Sequence, residues 1–187
     1  MKAATRGTDR ASAGVVLAAA ALLTTAGCVR GERAEPAAAT SSVDSLFRDA
    51  SGREIGRAVV TQEAGGLRVR VAIDGLRAGS HGLHFHAIGR CDAPGFESAG
   101  PHWNPSMRLH GTRNPSGPHG GDLPNLLAGT DGRGTIEYLL PGARLRGGRR
   151  ALLDGDGAAL IVHASPDDYR TDPSGNSGAR VACAVLS

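Results

Sequence analysis

The chain has 187 residues, enough for one domain of ordinary size and a short extension. Its 28 glycines and 21% charged residues exclude a coiled coil, and the glycines have no period of three, which excludes collagen. Residues 1–27 hold three basic residues and one acidic residue, so 18 basic and 17 acidic residues remain beyond them. With so small a net charge we expect no nucleic-acid partner.

The first 27 residues have the pattern of an export signal. Three basic residues precede an apolar run from Ala11 to Leu23, which is too short to cross a bilayer as a helix. The run ends at residues 25–28, Thr-Ala-Gly-Cys, which resemble the lipobox of bacterial lipoproteins, where the cysteine receives diacylglycerol and becomes the mature N-terminus. An ordinary secretory signal, with Cys28 free or lost, is the alternative.

Residues 28–42 are rich in Ala, Glu, Pro, Thr and Ser without an apolar period, which is typical of a disordered tether. We therefore expect an exported protein that a lipid on Cys28 anchors to a membrane, facing the periplasm or the cell exterior, with its folded domain at residues 43–187. If Cys28 is lipidated, Cys91 and Cys183 remain for one disulfide in an oxidising compartment. Two reduced thiols are the alternative.

The pattern of the domain predicts β-strands. Residues 67–74 alternate between apolar and polar, and the Gly65-Gly66 turn joins them to the preceding segment in a hairpin. Strands at short spacing with glycine-rich turns favour an antiparallel sandwich or barrel. The strand candidates in chain order are 42–49, 53–62, 67–74, 82–87, 127–130, 134–139, 158–164 and 179–186.

Histidines surround the one long stretch without a strand pattern, Gly89 to Pro124. A loop of that length needs an internal organiser. His84 and His86 share one face of a strand because side chains alternate with period two, which turns Phe85 towards the core. Within the loop, three imidazoles and one carboxylate form a tetrahedral zinc set: His102, His110, His119 and Asp122. Solvated, unrelated loop histidines are the alternative.

These motifs together resemble the copper/zinc superoxide dismutases, and the exported bacterial members in particular. The similarity covers residues 43–187. It rests on the segments Gly82-Leu83-His84-Phe85-His86, Ala99-Gly100-Pro101-His102-Trp103-Asn104-Pro105, Gly121-Asp122-Leu123-Pro124, Ala159-Leu160-Ile161-Val162-His163 and Gly175-Asn176-Ser177-Gly178-Ala179-Arg180-Val181-Ala182-Cys183.

The resemblance implies an all-β fold, an eight-stranded antiparallel Greek-key barrel or flattened sandwich with long metal-binding and electrostatic loops. It implies one copper and one zinc per chain. The copper ligands would be His84, His86, His102 and His163; the zinc ligands would be His102, His110, His119 and Asp122.

The resemblance also assigns residues that are not ordinary ligands. His102 would be shared by both metals and take part in proton transfer, and Arg180 would attract the substrate anion beside copper. Asp167 would link a copper ligand to a zinc ligand, while His81 would lie near the copper strand without binding metal. Cys91 and Cys183 would form the disulfide of the family.

The implied activity is dismutation of superoxide to oxygen and hydrogen peroxide, in antioxidant defence outside the cytoplasm. A homodimer remains open, because dimer surfaces vary among bacterial members. The chain has no lysine after Lys2, so Arg108, Arg113 and Arg170 are candidates for steering the anion. A non-enzymatic copper-binding or copper-delivery protein, or a purely structural domain, is expected to lack Arg180 or a metal ligand, and this chain lacks neither.

Overall fold

The computed structural model describes residues 41–187. The predictions of an export signal, of lipidation at Cys28 and of a tether up to residue 40 lie outside the described residues. Among residues 41–187, no helix has the length and apolar character that a bilayer crossing requires.

Nine β-strands form one antiparallel sheet. The two edge strands, β4 and β5, are separated in sequence by Gly82 alone, so the sheet curls until its edges approach and makes a nearly closed barrel. The order across the sheet is β4-β6-β7-β3-β2-β1-β9-β8-β5. The strands are β1 (Ser42–Asp49), β2 (Glu54–Glu63), β3 (Gly66–Ile73), β4 (Gly79–His81), β5 (Leu83–His86), β6 (Leu126–Ala128), β7 (Gly134–Pro141), β8 (Ala158–His163) and β9 (Arg180–Leu186).

The all-β prediction is confirmed, and the strand count is nine where the resemblance implied eight. Each of the eight predicted segments overlaps a strand, with ends that differ by up to two residues, and the hairpin of β2 and β3 pairs Glu63 with Gly66 across its turn. The additional strand, β4, pairs its three residues with β6. β6 is equally short but overlaps a predicted segment, whereas β4, Gly-Ser-His, has no apolar residue that could show an alternating pattern.

The core of the barrel follows from the alternation in its strands. The apolar residues of β3, Leu67, Val69, Val71 and Ile73, are buried. Between them, Arg68 and Arg70 face outward and form ion pairs with glutamates of β2 and β7. Phe85 of β5 is fully buried, as its position between two histidines predicts. Burial of each such apolar side chain contributes roughly 1.5–3 kcal/mol to folding.

The long loop between β5 and β6 is fastened to the barrel at several points. One short 3₁₀ turn, Glu97–Ala99, is the regular structure within it. The backbone of His86 bridges to His102, and the disulfide of Cys91 with Cys183 joins the loop to β9, with the two Cα atoms 5.8 Å apart. The predicted disulfide is therefore confirmed. The loop brings its three histidines, His102, His110 and His119, together with Asp122, back beside β5.

Candidate metal centre

Four histidines from three parts of the chain converge at the end of β5 and β8. His84 and His86 come from β5, His163 ends β8, and His102 comes from the long loop. Each offers a ring nitrogen that lies within 4.8 Å of the other three, and all four side chains are buried. The period-two prediction for His84 and His86 is thus confirmed in geometry.

In each of these four rings one nitrogen has a fixed partner. His86 Nδ1 donates to the carbonyl of Gly100 at 2.8 Å, and His163 Nδ1 donates to the carbonyl of Gly178 at 3.1 Å. His84 Nε2 donates to Asp167 at 3.0 Å. A proton held on one nitrogen leaves the lone pair of the other nitrogen exposed.

The remaining nitrogens are the ones that face each other. His84 Nδ1 and the Nε2 atoms of His86, His102 and His163 are buried without a hydrogen-bond partner. Buried polar atoms of this kind are costly unless something satisfies them. Four imidazole lone pairs suit copper, which accepts a tetragonal set of nitrogen ligands. The residues therefore fit a copper ion.

Burial keeps these rings in the neutral form that binds metal. Removal from water lowers the pKa of His86 to about 2, that of His163 to about 3 and that of His102 to about 4. It also lowers the pKa of His84. At neutral pH these four rings are therefore uncharged and can each bind one metal through the free nitrogen without losing a proton, whereas His102 must lose its remaining N–H proton if Nδ1 binds a second metal.

A second set of donors is centred on one oxygen of Asp122. Its Oδ1 lies 3.0 Å from His102 Nδ1, 3.1 Å from His110 Nδ1 and 3.3 Å from His119 Nδ1. His119 Nδ1 lies 3.4 Å from His102 Nδ1. The edges of a tetrahedron around zinc are about 3.3–3.4 Å long when its bonds are about 2.0–2.1 Å. Four of the six distances between these donors are thus close to that edge length, and the donor types suit zinc.

Two histidines compete for the fourth place in this second set. His84 lies within 4.8 Å of His102, His110 and Asp122 by its nearest ring nitrogen. However, its Nε2 is held by Asp167 and its Nδ1 belongs with the first four nitrogens. His119 Nδ1 lies close to both Asp122 Oδ1 and His102 Nδ1, so His119 is the better candidate for the fourth place.

Hydrogen bonds keep the carboxyl group of Asp122 ionised before any metal binds. Its Oδ2 accepts hydrogen bonds from the backbone N–H groups of Gly111 and His119 at 2.8 and 2.9 Å. Burial opposes ionisation, but the three imidazoles and these N–H groups hold the pKa of Asp122 well below its usual range. Burial likewise acts to lower the pKa of His110, yet Asp122 and Asp167 together raise it to about 9. Zinc binding at neutral pH would therefore release a proton from His110.

Two residues connect the two sets of donors. His102 turns Nε2 towards the first set and Nδ1 towards the second. Asp167 accepts from His84 Nε2 at 3.0 Å with one oxygen and from His110 Nε2 at 2.9 Å with the other. The structure thus places Asp167 between one histidine of each set, where the resemblance expects it. A Cβ atom at Gly175 would lie 1.8 Å from Asp167 Oδ1, so only glycine leaves room for the carboxylate.

Sequence reasoning missed the residue that holds Asp167. The side chain of Asn125 donates to the carbonyl of Asp167 and accepts from its N–H, both at 2.9 Å. Tyr169 in turn accepts the N–H of Asn125 through its hydroxyl at 2.9 Å. Asn125 directly precedes β6 in an unremarkable Pro-Asn-Leu context, so no local signal distinguishes it.

His81 lies apart from both sets, as expected. Its Nδ1 is 2.6 Å from the carbonyl of His163, and its Nε2 is 2.8 Å from the carbonyl of Arg77. Both ring nitrogens are therefore occupied by backbone oxygens and neither is available to a metal. His81 instead ties the end of β8 to the segment before β4.

A cavity of about 470 Å³ leads to the first set of histidines. His86, His102 and His163 line it together with Arg180. The guanidinium of Arg180 donates to the carbonyls of Phe96 and Gly100 at 2.7 and 2.8 Å. Two fixed hydrogen bonds hold the positive charge in the wall of the cavity, where it attracts a small anion.

The other candidate arginines for steering lie elsewhere. Arg108, Arg113 and Arg170 are absent from the residues that line this cavity within the described range. The guanidinium of Arg113 stacks over Tyr169 at 5.2 Å from the ring centre, and Arg108 donates to the carbonyl of Gly117 at 3.1 Å. Along the described chain, the cavity therefore depends on Arg180 for its positive charge.

Comparison with known sequences points to one family. Residues 54–186 match the sequence model described as copper/zinc superoxide dismutase. The chain is 42% identical over 148 residues to the copper/zinc superoxide dismutase of Caulobacter vibrioides, which covers 78% of this chain and 85% of that protein. It is 39% identical over 137 residues to copper/zinc superoxide dismutase 1 of Aquifex aeolicus, covering 72% and 81%.

Solved structures agree with this assignment of the fold. A double variant of a superoxide-dismutase-like protein from Bacillus subtilis superposes with a TM-score of 0.74 at 42% identity, covering 76% of this chain and 95% of that one. The copper/zinc superoxide dismutase from Brucella abortus superposes with a TM-score of 0.63 at 30% identity, covering 79% and 100%.

Proposed function

Because the chain belongs to the copper/zinc superoxide dismutase family, we propose a division of its ligands between the two metals and a place of work outside the cytoplasm. The reaction is the dismutation of superoxide to oxygen and hydrogen peroxide, with copper and zinc as cofactors. Copper would be held by His84, His86, His102 and His163, and zinc by His102, His110, His119 and Asp122.

The division of the ligands between the two metals rests on one observation, the orientation of the ring nitrogens. Four unpartnered nitrogens converge on one point, while Asp122 Oδ1 collects three others. The chain retains every ligand of both sets and Arg180 as well. A copper-delivery or structural protein on this fold has no need of the arginine, so the complete set favours the enzyme.

Copper, when bound, supplies the one-electron oxidation and reduction that the reaction needs. Residues of the chain supply the attraction of the anion, its orientation and the transfer of protons. Arg180 attracts superoxide into the cavity and orients it by hydrogen bonding. His102 Nε2 would take up and return a proton, because its lone pair faces the first set while the other ring nitrogen faces the donors assigned to zinc.

Zinc would act through the loop rather than on the substrate. Its four ligands lie within residues 102–122, so binding would fix that part of the long loop in one shape. The position of His102 would be fixed with it, and through Asp167 the orientation of His84. Zinc has no redox chemistry of its own, so its contribution would be structural and electrostatic.

Two substitutions test the division of ligands. Asp122→Ala should lose zinc and keep most of its copper, since Asp122 serves the second set alone. His163→Ala should lose copper and dismutase activity while keeping zinc. Metal content by mass spectrometry and activity are measured for both, with Asp131→Ala in an exposed turn as control. Loss of both metals to the same extent in both variants would contradict the division.

We propose that the enzyme is exported and anchored to a membrane by a lipid on Cys28, facing the periplasm or the cell exterior. Support comes from the signal pattern of residues 1–27 and from the disulfide, which is stable in oxidising compartments. A diacyl anchor holds a protein stably on a bilayer, whereas a single chain binds marginally. Cys28→Ser should release the protein into the soluble fraction or block its processing, and a soluble, unmodified wild type would contradict the anchor.

The proposal includes a homodimer. Leu46 of β1 and Val185 of β9 are exposed apolar side chains that line one shallow cavity. A second chain that covered them would remove apolar surface from water. Sedimentation of the metal-loaded protein at rising concentration should show the dimer, and Leu46→Glu should shift the equilibrium to the monomer. An unchanged monomer at every concentration would remove the dimer from the proposal.

A further inference from the structure

Four arginines lie within seven residues of the connection from β7 to β8. We propose that this segment, residues 144–150, docks on an anionic phospholipid surface and orients the barrel on the membrane. We call it the arginine loop. The inference rests on the proposed lipid anchor at Cys28. The arginines are Arg144, Arg146, Arg149 and Arg150, and all four are exposed.

Buried side chains and backbone hydrogen bonds hold the two ends of the arginine loop in place. Leu145 and Leu152, on either side of the tip, are buried in the barrel core. Arg144 N–H donates to the carbonyl of Arg150 at 2.9 Å, and Leu152 N–H donates to the carbonyl of Arg144 at 2.8 Å. The tip turns through two glycines, Gly147 and Gly148, with positive φ of 72° and 86°. Four charges therefore project from one closed turn and lose little freedom on binding.

The charges of the arginine loop are not neutralised within the described part of the chain. Seven other arginines have a carboxylate within 4.0 Å: Arg48, Arg53, Arg57, Arg68, Arg70, Arg90 and Arg133. None of the four in the loop has one. Residues 142–153 contain no acidic residue. The loop is thus a positive patch on a domain whose total charge is nearly balanced.

The patch continues across a neighbouring cavity of about 490 Å³. Arg150 lines one side of it, and Arg108 lines another, also without a carboxylate partner among the described residues. Asp122 is part of the same wall but belongs to the zinc set. Two guanidinium groups on the walls of one open cavity suit the phosphate of a lipid headgroup, because arginine binds phosphate through paired N–H groups.

The arginine loop lies at the end of the barrel where the chain from Cys28 enters. The carbonyl of Ser41 accepts the N–H of Gln62 at 2.8 Å. The side chain of Gln62 in turn accepts the N–H of Leu145, inside the loop, through Oε1 at 2.8 Å. The first described residue and the loop are therefore joined through one intermediate residue.

The connection to the lipid is too short to hold this end far from the bilayer. Twelve residues, 29–40, separate Cys28 from Ser41. A chain of that length spans at most roughly 45 Å when fully extended, and about 20 Å as an average flexible coil. The entry end of the barrel is thus held close to the headgroups, where each arginine gains free energy from anionic lipid.

Docking by the arginine loop would leave the site open to superoxide. β8 begins at Ala158, shortly after the arginine loop, and ends at His163, which pairs with Arg180 at the start of β9. Those strand ends are opposite the entry end. A barrel that docks by the arginine loop therefore holds Arg180 at the end that lies farther from the negative surface, which would repel superoxide.

Vesicle binding tests the inference. The metal-loaded protein carries Cys28→Ser, so that no acyl chain contributes, and mass analysis confirms that residues 1–27 have been removed. It is titrated with vesicles of phosphatidylcholine alone or with about one-third phosphatidylglycerol. We expect binding to the anionic vesicles only, and weakening as salt rises. Replacement of the four loop arginines by glutamine should weaken binding roughly five-fold per arginine, or about 600-fold together if the four contributions add. Melting temperature and metal content check that the variant is folded.

A matched control separates position from net charge. Arg48, Arg53, Arg90 and Arg133 are also exposed, and their replacement by glutamine removes the same charge outside the loop. This control should bind anionic vesicles far better than the loop variant. Equal loss in both variants, absence of binding to anionic vesicles, or binding to heparin alone would overturn the inference. Mass analysis of the mature wild-type N-terminus tests the Cys28 anchor separately, and its outcome does not alter the vesicle result.

Discussion

His163 and Arg180 are cross-strand partners where β8 meets β9. One side chain leaves its Nε2 unpartnered, and the other carries a guanidinium fixed by two backbone carbonyls. Both line the same cavity. The register of the sheet therefore fixes the backbones of His163 and Arg180 relative to each other, and two carbonyls of the long loop, those of Phe96 and Gly100, fix the position of the guanidinium.

This relationship predicts the effect of replacing Arg180. At a separation of ~6 Å, the attraction between the guanidinium and superoxide is roughly 0.7 kcal/mol at the dielectric constant of water and ~2.8 kcal/mol at an effective value of 20. Arg180→Ile should retain both metals and lower kcat/KM about 3- to 100-fold. Arg180→Glu should lower it further, while Arg180→Lys should lose less because the charge remains.

Salt dependence distinguishes an electrostatic role from a structural one. Rising ionic strength should slow the wild type more than Arg180→Ile, because screening acts on the attraction that the variant lacks. Full activity of Arg180→Ile at low salt, with both metals present, would contradict the assignment of Arg180 as the anion site.

Replacement of Asp167 should lower the affinity of the protein for both metals. In Asp167→Asn, the amide can accept from one histidine but must present its NH₂ group to the other, so either His84 or His110 loses its fixed orientation. We expect a loss of about 10- to 100-fold in metal affinity, measured by competition with a chelator.

The neighbouring carboxylate gives a control for Asp167. Asp168 is exposed and accepts hydrogen bonds only within its own loop, from Arg170, Thr171 and Asn176. Asp168→Asn should leave metal affinity nearly unchanged. Equal losses in the two variants would mean that Asp167 supports the loop rather than the ligands.

Zinc removal should loosen the long loop selectively. Zinc at a hundred times its dissociation constant stabilises the folded state by about 2.7 kcal/mol, so selective chelation should lower the melting temperature by several degrees. Trypsin should then cleave faster after Arg108 and Arg113, which lie between the zinc ligands. Cleavage after Arg149, in the arginine loop, serves as the internal control and should change little. Equal acceleration at all three sites would indicate general unfolding.

The disulfide should contribute substantially to stability. Cys91 and Cys183 are separated by 92 residues, and closure of a loop of that length restricts the unfolded chain by about 4–5 kcal/mol. The double variant Cys91→Ser with Cys183→Ser should show a free energy of unfolding lower by that order in urea. A reducing agent should destabilise the wild type and leave the double variant unaffected. Equal stability of the two oxidised proteins would contradict this estimate.

Local patterns in the sequence account for most of the fold. Alternation and glycine-rich turns predict eight of the nine strands, because a strand repeats every two residues whatever it pairs with. The His-x-His of β5 follows from the same period. β4 was missed because its residues, Gly-Ser-His, show no apolar alternation. Cysteine counting and donor types suggest the disulfide and the zinc set, whereas the full copper set and the role of Arg180 depend on resemblance to a family.

The chemical types of the ligands were present in the sequence, whereas their states were decided by tertiary contacts. Which nitrogen of His163 is free depends on the carbonyl of Gly178, and which nitrogen of His84 is free depends on Asp167. Those partners are 15 and 83 residues away, beyond the reach of any local period. The sequence by itself thus determined the strands, the donors and the cluster of arginines. Only the folded chain decided which lone pairs converge and which end of the barrel carries the arginines, because both depend on contacts between segments distant in sequence.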